Sequence, residues 1–158
     1  MNLSNSDILF ETFKKTVNSK IENLRLDLIM YDGFLPAVLS STLTGVQEAE
    51  IDFEATSKDE AGDLLRKYAT SPDVEAIALI FMADTVDLAP GEKRTLPKDL
   101  KDDPDSVEAI MAYIHTKEKS EYRRIIYCKK KNGDYWFAEE SWKDPGVLTG
   151  RFANPFKA

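Results

Sequence analysis

Phe10, Phe13, Val17, Ile21, Leu24 and Leu28 advance by three or four residues, the spacing that lines one face of an α-helix. Capped by Ser6 or Asp7 and running to about Leu28, this helix would be about 30 Å long, with Lys14, Lys15, Asn18, Lys20 and Glu22 mostly on its wet side. Tyr31-Asp32-Gly33 breaks it. Residues 34–42 then read as extended, with Pro36 near the start where a strand tolerates a missing N–H. After a turn at Thr44-Gly45, residues 46–54 settle into period two, which directs Ile51 and Phe53 to a core and Glu50, Asp52 and Glu54 to water. The three acids on one strand face read as solvated side chains, because Mg and Ca ligands normally converge from loops with other oxygen donors.

Ser57 and Glu60 have the spacing of a capping box, and Ala61, Leu64, Leu65 and Tyr68 give the helix that follows a short apolar stripe ended by Ser71-Pro72-Asp73. Residues 76–83, AIALIFMA, form a nearly continuous apolar run, the mark of a central strand covered on both faces. The pattern stops over residues 84–102, where Pro90, Gly91 and Pro97 deny a long regular element; loops of this length often carry function. Asp99, Asp102, Asp103 and Asp105 lack the order of an EF-hand loop, so Asp103 reads as the N-cap, and Pro104 as the first residue, of a third helix over residues 105–116. Val107, Ile110, Met111 and Ile114 would be its buried stripe, with His115 beside it near a C-terminal end that favours a protonated imidazole.

Residues 122–142 contain two aromatic and β-branched runs around Asn132-Gly133, which predicts a β-hairpin. A two-residue loop would place Lys131 opposite Asp134, Lys129 opposite Trp136, Tyr127 opposite Ala138 and Ile125 opposite Glu140. In that register Glu140 lies diagonal to Arg123 and Glu139 to Arg124, and Lys129 can lie over Trp136 as a cation–π pair. The tail beyond Trp142 reads as an extended arm with room for a short edge strand at 147–152.

The chain of 158 residues suits a single domain spanning 1–158, long enough to bury about 70% of the surface its unfolded form exposes. The single cysteine, Cys128, forbids an intrachain disulfide and reads as a small strand residue in a reducing compartment. No basic leader with a long apolar run opens the sequence and no stretch is apolar enough to span a bilayer, so a cytoplasmic protein with no membrane partner is expected. A net charge of −7 disfavours indiscriminate binding to nucleic acid or anionic lipid, yet residues 117–131 carry net +5 against net −12 elsewhere.

Two constellations follow from that distribution. Asp84, Asp87, His115, Glu139 and Glu140 could serve a small hydrolase if they converged on one pocket, since acid–base work needs two titratable groups with divergent pKa values. Arg123, Arg124 and Lys129 to Lys131, with Tyr122, Tyr127, Tyr135, Trp136 and Trp142, could form a phosphate-and-stacking surface for single-stranded nucleic acid. The acidic remainder counts against the second. A glycine-rich phosphate loop, Cys/His cluster and nucleophile elbow are all missing from the sequence, so neither metal nor cofactor is implied.

The order helix, two strands, helix, strand, helix, two strands implies an α+β domain with a mainly antiparallel sheet of about five strands and two helices besides the long first one, a layout similar to the profilin/roadblock type. The long first helix, Asp32-Gly33-Phe34-Leu35-Pro36, the central apolar strand and the late Trp-containing hairpin resemble small uncharacterised bacterial and phage α+β proteins. That resemblance carries no functional residue. The leading expectation is a non-enzymatic interaction domain, homodimeric through the long helix or a sheet edge and serving an as yet unidentified protein partner.

Overall fold

The computed structural model describes residues 4–50, 58–87, 97, 100–144 and 154–157. Helix α1 (Asn5–Tyr31) begins where the Ser4 hydroxyl accepts from the Asp7 N–H at 3.2 Å, slightly earlier than the cap expected at Ser6 or Asp7. It ends at Asp32, which takes a left-handed φ of 59° while its N–H donates to the Leu28 carbonyl at 2.9 Å. All six residues of the expected apolar stripe are buried.

The strands are β1 (Ala37–Thr42), β2 (Gly45–Glu50), β3 (Val74–Thr85), β4 (Val107–Thr116), β5 (Ser120–Lys129) and β6 (Tyr135–Glu139), with helix α2 (Lys58–Thr70) between β2 and β3. They form one sheet in the order β2-β1-β3-β4-β5-β6, and every pairing is antiparallel. The described residues therefore give an α+β fold of six strands and two α-helices, where about five strands and three helices were expected. The outer part of the expected second strand (residues 51–54, with two of its three acids), the Ser57 cap, Asp99, most of the 84–102 segment and the proposed edge strand at 147–152 lie outside the described residues.

Because successive side chains in a strand point to opposite faces, the sheet carries two cores. Toward α1 face Ala37, Leu39, Ala78, Ile80, Ile110, Ala112, Ile114, Ile125 and Tyr127, packed against the helix stripe. On the other face Val38, Ile77, Leu79, Ala109 and Met111 pack with Leu65 of α2, and Phe156 from the 3-10 turn Pro155–Lys157 closes over the same side. Strand β3 is buried from both sides, as its apolar run predicts.

The helix expected over 105–116 is a strand. Val107, Ile110, Met111 and Ile114 do recur at helical intervals, but Ala109, Ala112 and Tyr113 fill the gaps, and a strand covered on both faces has no period of its own. Ten residue pairs joining β3 to β4 settle the matter through tertiary pairing that no local pattern encodes. Asp103 caps no helix; its Oδ1 accepts from the Asp105 N–H at 2.9 Å and its carbonyl from the Ser106 N–H at 3.0 Å, a turn leading into β4.

The hairpin forms, but one residue out of the expected register: Lys129 pairs with Tyr135, Cys128 with Trp136, Tyr127 with Phe137 and Ile125 with Glu139. Gly133 donates to the Lys130 carbonyl at 2.9 Å, and Lys130 donates to that of Asp134 at 2.7 Å. Gly133 holds a φ of 92°, so the loop is a type I turn followed by a left-handed glycine in place of the two-residue loop. A one-residue slip exchanges the faces of β6, bringing Tyr135, Phe137 and Glu139 to the α1 side.

Phe13 is buried in the N-terminal half of the α1 stripe. Phe13→Ala is expected to lower the unfolding free energy by about 3–5 kcal/mol, read from urea denaturation, because it removes the ring and leaves a cavity that rigid neighbours cannot close.

Candidate functional site

The charged residues of the hairpin meet α1 along one flank. Lys14 Nζ lies 2.9 Å from Glu121 Oε1. Asn18 Oδ1 accepts from Arg123 Nη1 at 3.1 Å and from Trp142 Nε1 at 3.0 Å. Arg25 Nη2 contacts Glu139 Oε1 at 2.5 Å, and its guanidinium lies 4.8 Å from the Phe137 ring centroid. Asp32 Oδ1 accepts from Tyr135 Oη at 2.6 Å and Lys129 Nζ at 2.9 Å. Positions 14, 18, 25 and 32 share one side of the helix, since four and seven residues are close to whole turns. Lys20 pairs with Glu48 of β2 on the opposite flank.

On the α2 side Arg124 is clamped between two carboxylates. Nη2 donates to Glu140 Oε1 at 2.7 Å, while Nη1 and Nη2 reach the two oxygens of Asp87 at 2.8 and 3.0 Å. Hydrogen bonds from Arg124 hold the carboxyls of Glu140 and Asp87 below their ordinary values, and the two acids in turn raise Arg124. Glu139 is lowered by Arg25, and Asp32 by Tyr135 and then Lys129; the bond to Asp32 pushes Tyr135 up to about 12.

These contacts reassign the expected pairs. Arg123 reaches Glu139 (3.5 Å) and the Glu140 carbonyl (3.1 Å), while Arg124 holds the Glu140 side chain, because the hairpin is one residue out of the expected register. Lys129 lies 5.7 Å from the Tyr135 ring, not over Trp136, which stands on the other face opposite Cys128.

His115 is 1% exposed in β4. Its Nδ1 lies 2.7 Å from Ser120 Oγ, its ring stacks on Tyr113 with centroids 6.1 Å apart, and its Nε2 has no hydrogen-bond partner among the described residues. Burial pushes its pKa down to about 4, so it is neutral near pH 7, and the protonated helix-end imidazole expected from sequence is corrected accordingly.

The five residues weighed for hydrolysis do not converge. Only Asp87 and Glu140 come together, across Arg124. Asp84, opposite Glu108, and Glu139 lie on the α1 side, and His115 is enclosed on the α2 side near the far end of the sheet. The basic surface is likewise divided: Arg123 and Arg124 are held by acids, Tyr127 is buried, and Lys130 and Lys131 are exposed at the turn. Clefts lined by described residues include one of about 380 Å³ bounded by Ser6, Leu9, Val74, Glu75 and Lys117 and one of about 230 Å³ beside Leu64 and Tyr68. Neither is lined by any of the five acid–base candidates. No group of His, Cys, Asp and Glu able to hold a metal occurs among the described residues.

The outward side of α1 is a separate feature. Leu26 and Met30 are 57% and 68% exposed, and Ile8 and Ile29 are open to solvent on the same side. The inward stripe alone accounts for the helix, so the sequence pattern does not single out these residues, nor Asn18 and Arg25 as tethers. A second row, Ile8, Leu26 and Met30, was readable at helical spacing. Comparison with protein families, curated proteins and solved structures returns no match.

A pH-dependent stability follows from His115. Its folded pKa of about 4 lies below its ordinary 6.5, so between those values the unfolded chain binds the proton and the folded one does not. The stability is complete above pH 6.5 and is lost as pH falls toward 4, by roughly 3 kcal/mol at 1.36 kcal/mol per pKa unit. Depressed carboxyls such as Glu140 and Asp87 add their own loss below about pH 4.5. Urea unfolding from pH 7 to 4.5 should show the His115 slope, and His115→Gln should flatten it.

Proposed function

We propose that the protein is a non-enzymatic, cytoplasmic interaction domain that acts as a homodimer. One contrast supports this most directly: three of the four candidate acids, Asp87, Glu139 and Glu140, are tied to arginines within the chain, while apolar side chains stand exposed on α1. Exposed apolar groups that cluster are a signature of association, whereas ion-paired carboxylates held below their usual pKa are poor proton donors near neutrality. Among the described residues no helix is long and apolar enough to cross a membrane. The profilin/roadblock comparison is kept as analogy, supported by the opening helix, two strands and helix and by the antiparallel sheet, and it assigns no residue a role.

Of the two surfaces considered for association, the helix is favoured over the edge strand β2. Val46, Glu48 and Glu50 point to one face of β2, and pairing of two β2 edges about a two-fold axis would crowd four glutamates at one seam. Sedimentation velocity at tens of micromolar is expected to give a dimer mass. A monomer under those conditions would overturn the homodimer.

A further inference from the structure

The outward face of α1 has a pattern of its own. Ile8, Thr12, Lys15, Ser19, Glu22, Leu26 and Ile29 are spaced alternately by four and three residues, the repeat of a helix that packs along a second helix. All seven are exposed, and Met30 extends the apolar end. The row has apolar groups at both ends, the small Ser19 near its middle, and two opposite charges, Lys15 and Glu22, seven residues apart on either side of that middle.

We infer that this face is closed by a second copy of the chain, with the two α1 helices antiparallel and related by a two-fold axis near Ser19. The geometry rests on the homodimer proposed above and specifies it. In an antiparallel pair centred between residues 18 and 19, Lys15 of each protomer meets Glu22 of its partner, Ile8 meets Ile29 with Met30 beside it, and Leu26 lies level with Glu11, against its methylenes and the neighbouring Thr12 methyl. The charges select this alignment over its neighbours. Sliding one helix by seven residues in one direction brings Glu22 against Glu22, and in the other brings Lys15 against Lys15. A parallel pair makes both like-charge contacts at once. Only the centred antiparallel alignment satisfies both charges twice and matches the apolar ends.

Both groups are available for the contact. Lys15 is exposed, and Glu22, also exposed, has only a loose contact with Arg25 at 3.3 Å, whose stronger partner is Glu139 at 2.5 Å. The stripe that seats α1 on its own sheet lies on the opposite side of the helix, so dimerisation requires no unpacking of the domain.

Charge exchange in the full chain tests the geometry. Lys15→Glu and Glu22→Lys, measured separately by sedimentation equilibrium under reducing conditions, are each expected to weaken the dimer at least about tenfold, because each converts two attractive contacts into two repulsive ones. The double variant Lys15→Glu/Glu22→Lys is expected to restore affinity to within a few-fold of the original. Far-UV circular dichroism of each variant should match the parent, as should its urea midpoint at protein concentrations low enough that parent and variant are both monomeric, since both side chains are exposed in the lone protomer. A dimer indifferent to the single changes, or a double variant as weak as either single, overturns this geometry and leaves the homodimer standing. A parent chain that is monomeric throughout overturns both.

Discussion

Everything in this fold depends on how one amphipathic helix is laid across a sheet. The apolar stripe of α1 supplies the driving force by leaving water against β1, β3, β4 and β5. Burial has no preferred direction, however, and a smooth stripe could slide or rotate. Direction comes from the polar contacts at its margin: Lys14 to Glu121, Asn18 to Arg123 and Trp142, Arg25 to Glu139, and Asp32 to Lys129 and Tyr135. Each is modest alone, but their spacing fits one helical phase, so together they fix the rotation and axial position of the helix.

The same contacts decide what the basic segment is for. A cluster with net +5 in an otherwise acidic chain suggests an external anion, and in the folded protein its arginines are met by Glu139, Glu140 and Asp87. Arg124 is the clearest case, since its planar guanidinium grips both oxygens of Asp87 through two parallel N–H bonds while also reaching Glu140, a fork geometry that a lysine ammonium lacks. The uneven charge along the sequence thus evens out when the chain folds, because the acids and bases come from elements distant in sequence and adjacent in space.

Much of the architecture was legible because it is written locally. The stripe from Phe10 to Leu28, the break at Asp32, the Ser71-Pro72 stop after α2 and the apolar run of β3 each follow from periodicity or backbone chemistry, and the structure shows all of them. Residues 107–116 were misread because double burial erases period, leaving Val107, Ile110, Met111 and Ile114 compatible with a helix. The hairpin was recognised and its register missed, since Asn-Gly suits a two-residue turn while Gly133 alone also serves the longer loop formed here. His115 inherited the error over β4. Of the site, the abundance of acid–base pairing was visible, but which acid meets which base depended on a register of one residue.

The chain order of these contacts has a bearing on synthesis. Helix α1 precedes the residues that hold it: Glu121 and Glu139, which receive Lys14 and Arg25, follow them by 107 and 114 residues. Until those residues are made, the amphipathic rod lacks the polar partners that fix its rotation and axial position, a state that invites chaperone capture or premature clumping. Its abundant lysines and glutamates keep that waiting segment dispersed, and the β5–β6 hairpin, which follows it in the chain, is the one that fastens it.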